Sequence, residues 1–138
     1  MVRKNAKLGS GQFQWNAGGW FGAQLGGSLW MLILGFTLLG RQPGLGALAL
    51  ALALLVNATG FLLWWRRDRL APYPCIQGLL ALVCVATLIL LVTFDATGRL
   101  ALLDPRFRDN PRGLYTIVLM FPGLMALFHF QNRMGKKK

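Results

Sequence analysis

The chain contains no glutamate; its only acids are Asp68, Asp95, Asp104 and Asp109, and none of them lies inside a long apolar run. Proton-coupled carriers use intramembrane Asp, Glu or His. Lacking the carboxylates, this chain does not read as one. It has one histidine, His129, set between Phe128 and Phe130, so it offers no histidine pair for haem and no His/Cys/Asp/Glu spacing for a metal. Its two cysteines, Cys75 and Cys84, are nine residues apart on one expected helix. That is about 13 Å along the axis, too far for a disulfide between them. They read as small packing residues, with Cys75 open to acylation near a membrane face. No serine, histidine and aspartate come together as a hydrolytic set. These absences argue for a non-enzyme, with no catalytic residue, no metal and no cofactor.

What the chain does have is hydrophobic length. The runs Trp20–Gly40, Pro43–Trp65, Pro74–Phe94 and Leu114–Phe130 contain no Asp, Glu, Lys or Arg. A bilayer core about 30 Å thick needs roughly 20 apolar residues of helix, and in lipid only helices or closed barrels satisfy their own backbone groups. The chain is 14% charged against about 25% in soluble domains, too little polar surface to coat a soluble bundle. The expected fold is all-α: an integral membrane four-helix bundle made of two antiparallel transmembrane hairpins. The connections are too short for a second folded unit, so residues 1–138 read as a single membrane domain.

The net charge of +11 would suggest nucleic acid in a soluble protein, but its placement argues otherwise. Arg3, Lys4 and Lys7 precede span one, Arg66, Arg67 and Arg69 join spans two and three, and Arg133 and Lys136–Lys138 follow span four. With four spans these ten cations share one side, while Arg41, Arg99, Arg106, Arg108 and Arg112 occupy the other. The positive-inside rule then puts both termini in the cytoplasm, in what reads as a bacterial inner membrane. The cytoplasmic face would attract anionic lipid headgroups; no nucleic-acid partner is expected.

Residues 1–19 are basic and then polar and glycine-rich, with aromatics that suit the headgroup region. They contain no apolar h-region, so span one reads as an uncleaved start signal. Gly40-Arg41-Gln42-Pro43 forces spans one and two into a tight hairpin, because proline tolerates only the first turn of the following helix. Residues 95–113 form the one substantial loop, on the outer side, and 131–138 a basic tail. In that loop Asp95, Arg99, Asp104, Arg106, Arg108, Asp109 and Arg112 are expected to pair with one another. Pro122-Gly123 falls mid-span and is expected to kink span four.

The strongest motif is on span one. Gly18, Gly22 and Gly26 form consecutive small-xxx-small steps, with Gly19, Ala23 and Gly27 in register beside them. Such a bare face lets a second backbone approach closely. The partner is span two, whose Gly44, Gly46, Ala47, Ala49, Ala51 and Ala53 offer a matching surface, or a helix of another chain. Either way Gly22 and Gly26 are expected at the closest helix–helix contact. Asn57 matches a glycosylation pattern but lies about 4.5 Å from the middle of span two, so its amide must instead bond to a neighbouring helix or line a polar path. Gln24 and Gln77 sit at similar depth and are candidates to bond each other. Ser28, Thr37, Thr87 and Thr93 are expected to bond to their own helix carbonyls.

Small multidrug transporters and small fluoride channels are also short four-span proteins. The likeness ends at size, since the former need a glutamate in their first span. Two functions therefore stay open. One is a structural or accessory membrane protein, self-associating or supporting another membrane protein through the glycine face. The other is a homo-oligomeric pore lined by neutral polar residues.

Overall fold

The computed structural model describes residues 13–104, 106 and 109–136; Arg3, Lys4, Lys7, Arg108, Lys137 and Lys138 lie outside them. Four helices dominate: α1 (Ala17–Leu39), α2 (Pro43–Trp65), α3 (Pro72–Ala96) and α4 (Met120–Lys136). A short 3-10 turn, Leu100–Leu102, follows α3, and a 3-10 helix, Pro111–Leu119, runs directly into α4. Pro111–Gly135 forms the fourth segment long and apolar enough to cross a membrane. The protein is an all-helical, multipass integral membrane protein.

Local chemistry sets each boundary. Asn16, in an extended conformation, caps α1 by accepting from the Gly19 N–H at 2.8 Å. The Arg41 and Gln42 N–H groups return to the Leu38 carbonyl at 3.0 and 2.7 Å, and Pro43 then opens α2 where no N–H is needed. Pro72 does the same for α3. At the other end of α3, Gly98 adopts φ +67°, the Arg99 N–H bonds to Phe94 O at 2.8 Å, and the Gly98 N–H bonds to Asp95 O at 2.9 Å. This pair of bonds satisfies carbonyls that the helix end leaves free, and it requires a left-handed residue best supplied by glycine.

The fourth span differs from a kinked helix. Pro122 cannot donate to the Val118 carbonyl, and its ring would crowd that carbonyl in a continuous α-helix. The chain instead stays in the tighter 3-10 form through Leu119, which puts Pro122 in the first turn of α4, where proline is tolerated. The helix type thus changes just before Pro122 and Gly123, where the sequence predicts a kink.

The hairpin of α1 and α2 is the most closely packed pair, and α3 lies across both. The main chain of α4 meets α3 but neither α1 nor α2. Trp20, Met31, Ala49, Val56, Ile76, Val83 and Phe94 are fully buried at the centre. Leu29, Ile33, Phe36, Leu54, Phe61 and Val92 point outward, a belt of large apolar side chains that water would not tolerate and a bilayer would.

Candidate functional site

Among the described residues, the polar side chains within the spans concentrate between α1 and α2. Gln24 and Ser28 are one turn apart on α1 and fully buried. Asn57 faces them from α2. The Gln24 Nε2 amide donates to Asn57 Oδ1 at 3.0 Å and to Asn57 O at 3.3 Å. Asn57 Nδ2 donates to Ser28 Oγ at 2.9 Å and to its own-helix Ala53 O at 2.8 Å. The Ser28 hydroxyl closes the circuit by donating to Gln24 O at 2.8 Å. One turn toward the termini, the Trp20 indole N–H donates to Gly60 O at 3.2 Å. Desolvation drives this arrangement: amides in hydrocarbon must pair, and the antiparallel hairpin brings Gln24 and Asn57 to equal depth.

The cluster is one donor short. Gln24 Oε1 is buried without a partner. It lies against Gly60, where a β-carbon would overlap the Gln24 side chain. Glycine at 60 therefore makes the room that Gln24 needs.

Gln24 does not meet Gln77. Gln77 Nε2 donates instead to Met125 O on α4 at 2.8 Å, because α3 turns that face toward α4 and away from α1. A second α3–α4 link joins Tyr73 Oη and His129 Nδ1 at 2.7 Å. Thr37 and Thr93 bond to their own helices as expected, at 2.9 and 2.7 Å, but Thr87 does not: its hydroxyl is buried and unpaired.

The glycine stripe of span one between Gly18 and Gly27 is not where the hairpin is tightest. Gly18, Gly19, Gly22 and Gly26 are exposed, and nothing lies within 4 Å of where a side chain would begin at Gly22 or Gly26. Ala23 is half-buried. Only Gly27 packs inward, where an added β-carbon would lie 2.7 Å from Val83 Cγ1 of α3. The closest backbone approach of α1 to α2 uses Gly35 and Gly46: a β-carbon at Gly46 would stand 2.8 Å from Leu39 N and 2.9 Å from Gly35 O. Of the small residues on span two, Gly46, Ala49 and Ala53 face α1 or the core, while Gly44, Ala47 and Ala51 are exposed. The intrachain contact expected at Gly22 and Gly26 is corrected accordingly. Gln24, Ser28 and Trp20 claim the inward side of α1, and that rotates the glycine stripe outward.

In the loop, one ion pair forms among the described residues. Arg106 Nη2 meets Asp104 Oδ2 at 2.7 Å, and both the Arg106 Nε and its main-chain N–H also donate to the carboxylate. The Arg106 side-chain hydrogen bonds, then its main-chain N–H, hold the Asp104 carboxyl below the usual carboxylate range. Asp95 is engaged by Tyr115 Oη at 3.0 Å, which ties the end of α3 to the start of span four. Arg99, Asp109 and Arg112 are exposed. Among the described residues the expected network shows this one pair; Arg108, also part of that expectation, lies outside them.

Beyond the reach of the polar cluster, aromatic side chains gather at the terminal end of the hairpin. Trp15 and Trp20 stack at 4.7 Å, Phe21 and Trp64 at 5.1 Å, and the Arg67 guanidinium sits 4.9 Å over Trp64. The Trp15 indole N–H reaches Leu70 O at 3.1 Å, so the segment before α1 folds back on the turn between α2 and α3. Sequence reasoning did not single out Gly35 or Gly60, and it named Gly46 only as one of six small residues on span two; the signal available for the glycines was their pairing across an antiparallel hairpin. Comparison of the chain with protein-family models, with curated proteins and with solved structures finds no match.

Proposed function

We propose that this chain is a non-catalytic accessory membrane protein that packs a further transmembrane helix, from a second copy or from another membrane protein, on the outward Gly18–Gly22–Gly26 face of α1. The observation that carries the reading is the open space over Gly22 and Gly26. The chain satisfies its own packing with Gly27, Gly35, Gly46 and Gly60, and leaves this bare face unused. A bare glycine face gains from close backbone packing against a helix more than from contact with disordered lipid chains.

The alternative of a pore lined by neutral polar residues draws less support. Gln24, Ser28 and Asn57 are spent on one another inside a single hairpin, so they are not free to line a path. The titratable groups near the membrane faces, Asp95 and His129, are each engaged by a tyrosine, which suits a structural role better than catalysis. The charge split supports an orientation with both termini in the cytoplasm, most simply of a bacterial inner membrane. There the exposed Arg66, Arg67 and Arg69 suit anionic headgroups.

The test is Gly22→Leu and Gly26→Leu, measured by sizing and thermal unfolding in detergent. The added side chains project into open space, so unfolding should not change while the assembly shifts to smaller species or releases its partner. An unchanged assembly size would overturn the reading. Orientation is tested by impermeant labelling of Gly98→Cys and Gly135→Cys in a background without Cys75 and Cys84. Labelling at 98 but not at 135 from outside is expected, and the reverse pattern would invert the topology.

A further inference from the structure

A cavity of about 490 Å³ opens between α1, α3 and the 3-10 helix of span four, at the end of the molecule that carries the long loop. Protein interiors hold few voids larger than a water molecule. This volume instead falls within the roughly 300–1,000 Å³ of small-molecule sites. The cavity exists because the main chain of the 3-10 helix packs on α3 and not on α1, which leaves a gap beside α1. Its walls are mostly apolar, with Trp30 and Leu34 on one side and Leu114 and Ile117 on the other.

Thr87 of α3 borders this cavity and is 2% exposed, and its hydroxyl has no partner. Thr37 and Thr93 donate to carbonyls of their own helices, whereas among the described residues Thr87 carries the one buried side-chain hydroxyl left without a partner, which marks the place where an outside partner is missing. A change of χ1 between the two rotamers open to a helical threonine redirects its hydroxyl without moving the backbone. The hydroxyl can then donate or accept. At the mouth, Asp104 also borders the cavity, but both of its carboxylate oxygens are occupied by Arg106. Among the described lining residues, therefore, no uncompensated charge stands at the mouth to draw an ion.

We propose that the cavity binds a neutral amphiphile drawn from the membrane, with a hydrocarbon body between Trp30, Leu34, Leu114 and Ile117 and a hydroxyl or carbonyl oxygen paired with Thr87. Thr87 lies nine residues before the end of α3, about 14 Å below it by helix rise. The oxygen it pairs with is thus carried at hydrocarbon depth, which an ionic headgroup would not enter.

The probes are hexadecanol and hexadecane, each carrying a photoreactive diazirine, applied to the full chain in detergent micelles with the labelled residues mapped by mass spectrometry. The alcohol should label Trp30, Leu34, Leu114 or Ile117, and that labelling should fall about tenfold in Thr87→Val, as expected for one lost buried hydrogen bond. Thr87→Ser keeps the hydroxyl and should retain the labelling. Leu34→Trp fills the cavity and should abolish it. Hexadecane should label the wild type and Thr87→Val alike, at the lower level. Thermal unfolding of each variant separates loss of the site from loss of the fold. Equal labelling of wild type and Thr87→Val by the alcohol, equal labelling by alcohol and alkane, or label confined to the outward Leu29 and Phe36 would overturn the proposal.

Discussion

Gln24 on α1 and Asn57 on α2 hold each other across the first hairpin, the Gln24 amide donating to both the side-chain and the main-chain oxygen of Asn57. Because Asn57 in turn donates to Ser28, its removal unpairs groups on both helices. Asn57→Leu is expected to cost about 1–2 kcal/mol, within the range for polar contacts between membrane helices. The double variant Gln24→Leu/Asn57→Leu should cost less than the sum of the two single changes, since it leaves fewer unpaired groups. Unfolding titrations of the three variants in mixed micelles measure both quantities. Strict additivity would mean that the two amides do not act as a pair.

Glycines on opposite sides of α1 should respond oppositely to the same substitution. At Gly46 of α2 a side chain would enter the Leu39 and Gly35 backbone, which has no rotamer to yield. Gly46→Leu is expected to destabilise by about 1–3 kcal/mol or more through overpacking. Gly22→Leu meets nothing within the chain and should leave thermal unfolding within about 0.5 kcal/mol of wild type. If the two variants unfolded alike, the tight contact would lie elsewhere.

Much of the fold is legible in the sequence because its punctuation is sharp. Pro43 and Trp65, flanked by Arg41 and Arg66, bound α2 at the residues expected. Asn57 is legible too, since an amide at that depth has to pair. The rotation of α1 is not. Spacing places Gly18, Gly22 and Gly26 on one face, but hydropathy cannot tell an inward face from an outward one when the outside is also apolar. Gln24, Ser28 and Trp20 turn the helix, and only the Gln24–Asn57 pairing reveals it. Thr87 shows a second limit, for nothing in the sequence distinguishes its unpaired hydroxyl from the paired ones of Thr37 and Thr93. Pro122 shows a third: proline mid-span implies a kink only if the helix upstream is α.

The Asp104 carboxyl lies below the usual range chiefly because the Arg106 side chain donates to it. A carboxylate whose folded pKa is depressed adds stability above its unfolded pKa, and that stability is lost as pH falls through the folded value. The contact is exposed, so the effect on global stability is small; the local titration is the sensitive readout. Arg106→Gln should raise the Asp104 midpoint toward that of an ordinary aspartate. The return should be partial, because the residue-106 main-chain N–H still donates. Carboxyl ¹³C NMR against pH compares the two proteins, and coincident midpoints would show that the ion pair does not hold in solution.

Pro122 also makes a testable demand on the backbone before it. The 3-10 form of Pro111–Leu119 is long for its kind, since runs beyond three or four residues are uncommon. Pro122 sustains it by withholding the N–H that Val118 O would accept in an α-helix and by crowding that carbonyl. Pro122→Leu restores the donor and removes the ring, so α-helix should propagate backward from Met120 toward Leu114. A 3-10 helix rises about 2.0 Å per residue against 1.5 Å in the α form, so converting six residues would shorten span four by about 3 Å. That shift draws on the contacts Leu114 and Tyr115 make at the start of the span. The 3.0 Å bond from Tyr115 to Asp95 should weaken, and Leu114 should move at the cavity wall. Backbone chemical shifts and amide exchange across Leu114–Leu119 report the change directly. Unaltered 3-10 shifts in Pro122→Leu would mean that the packing of span four on α3, and not the proline, selects the tighter helix.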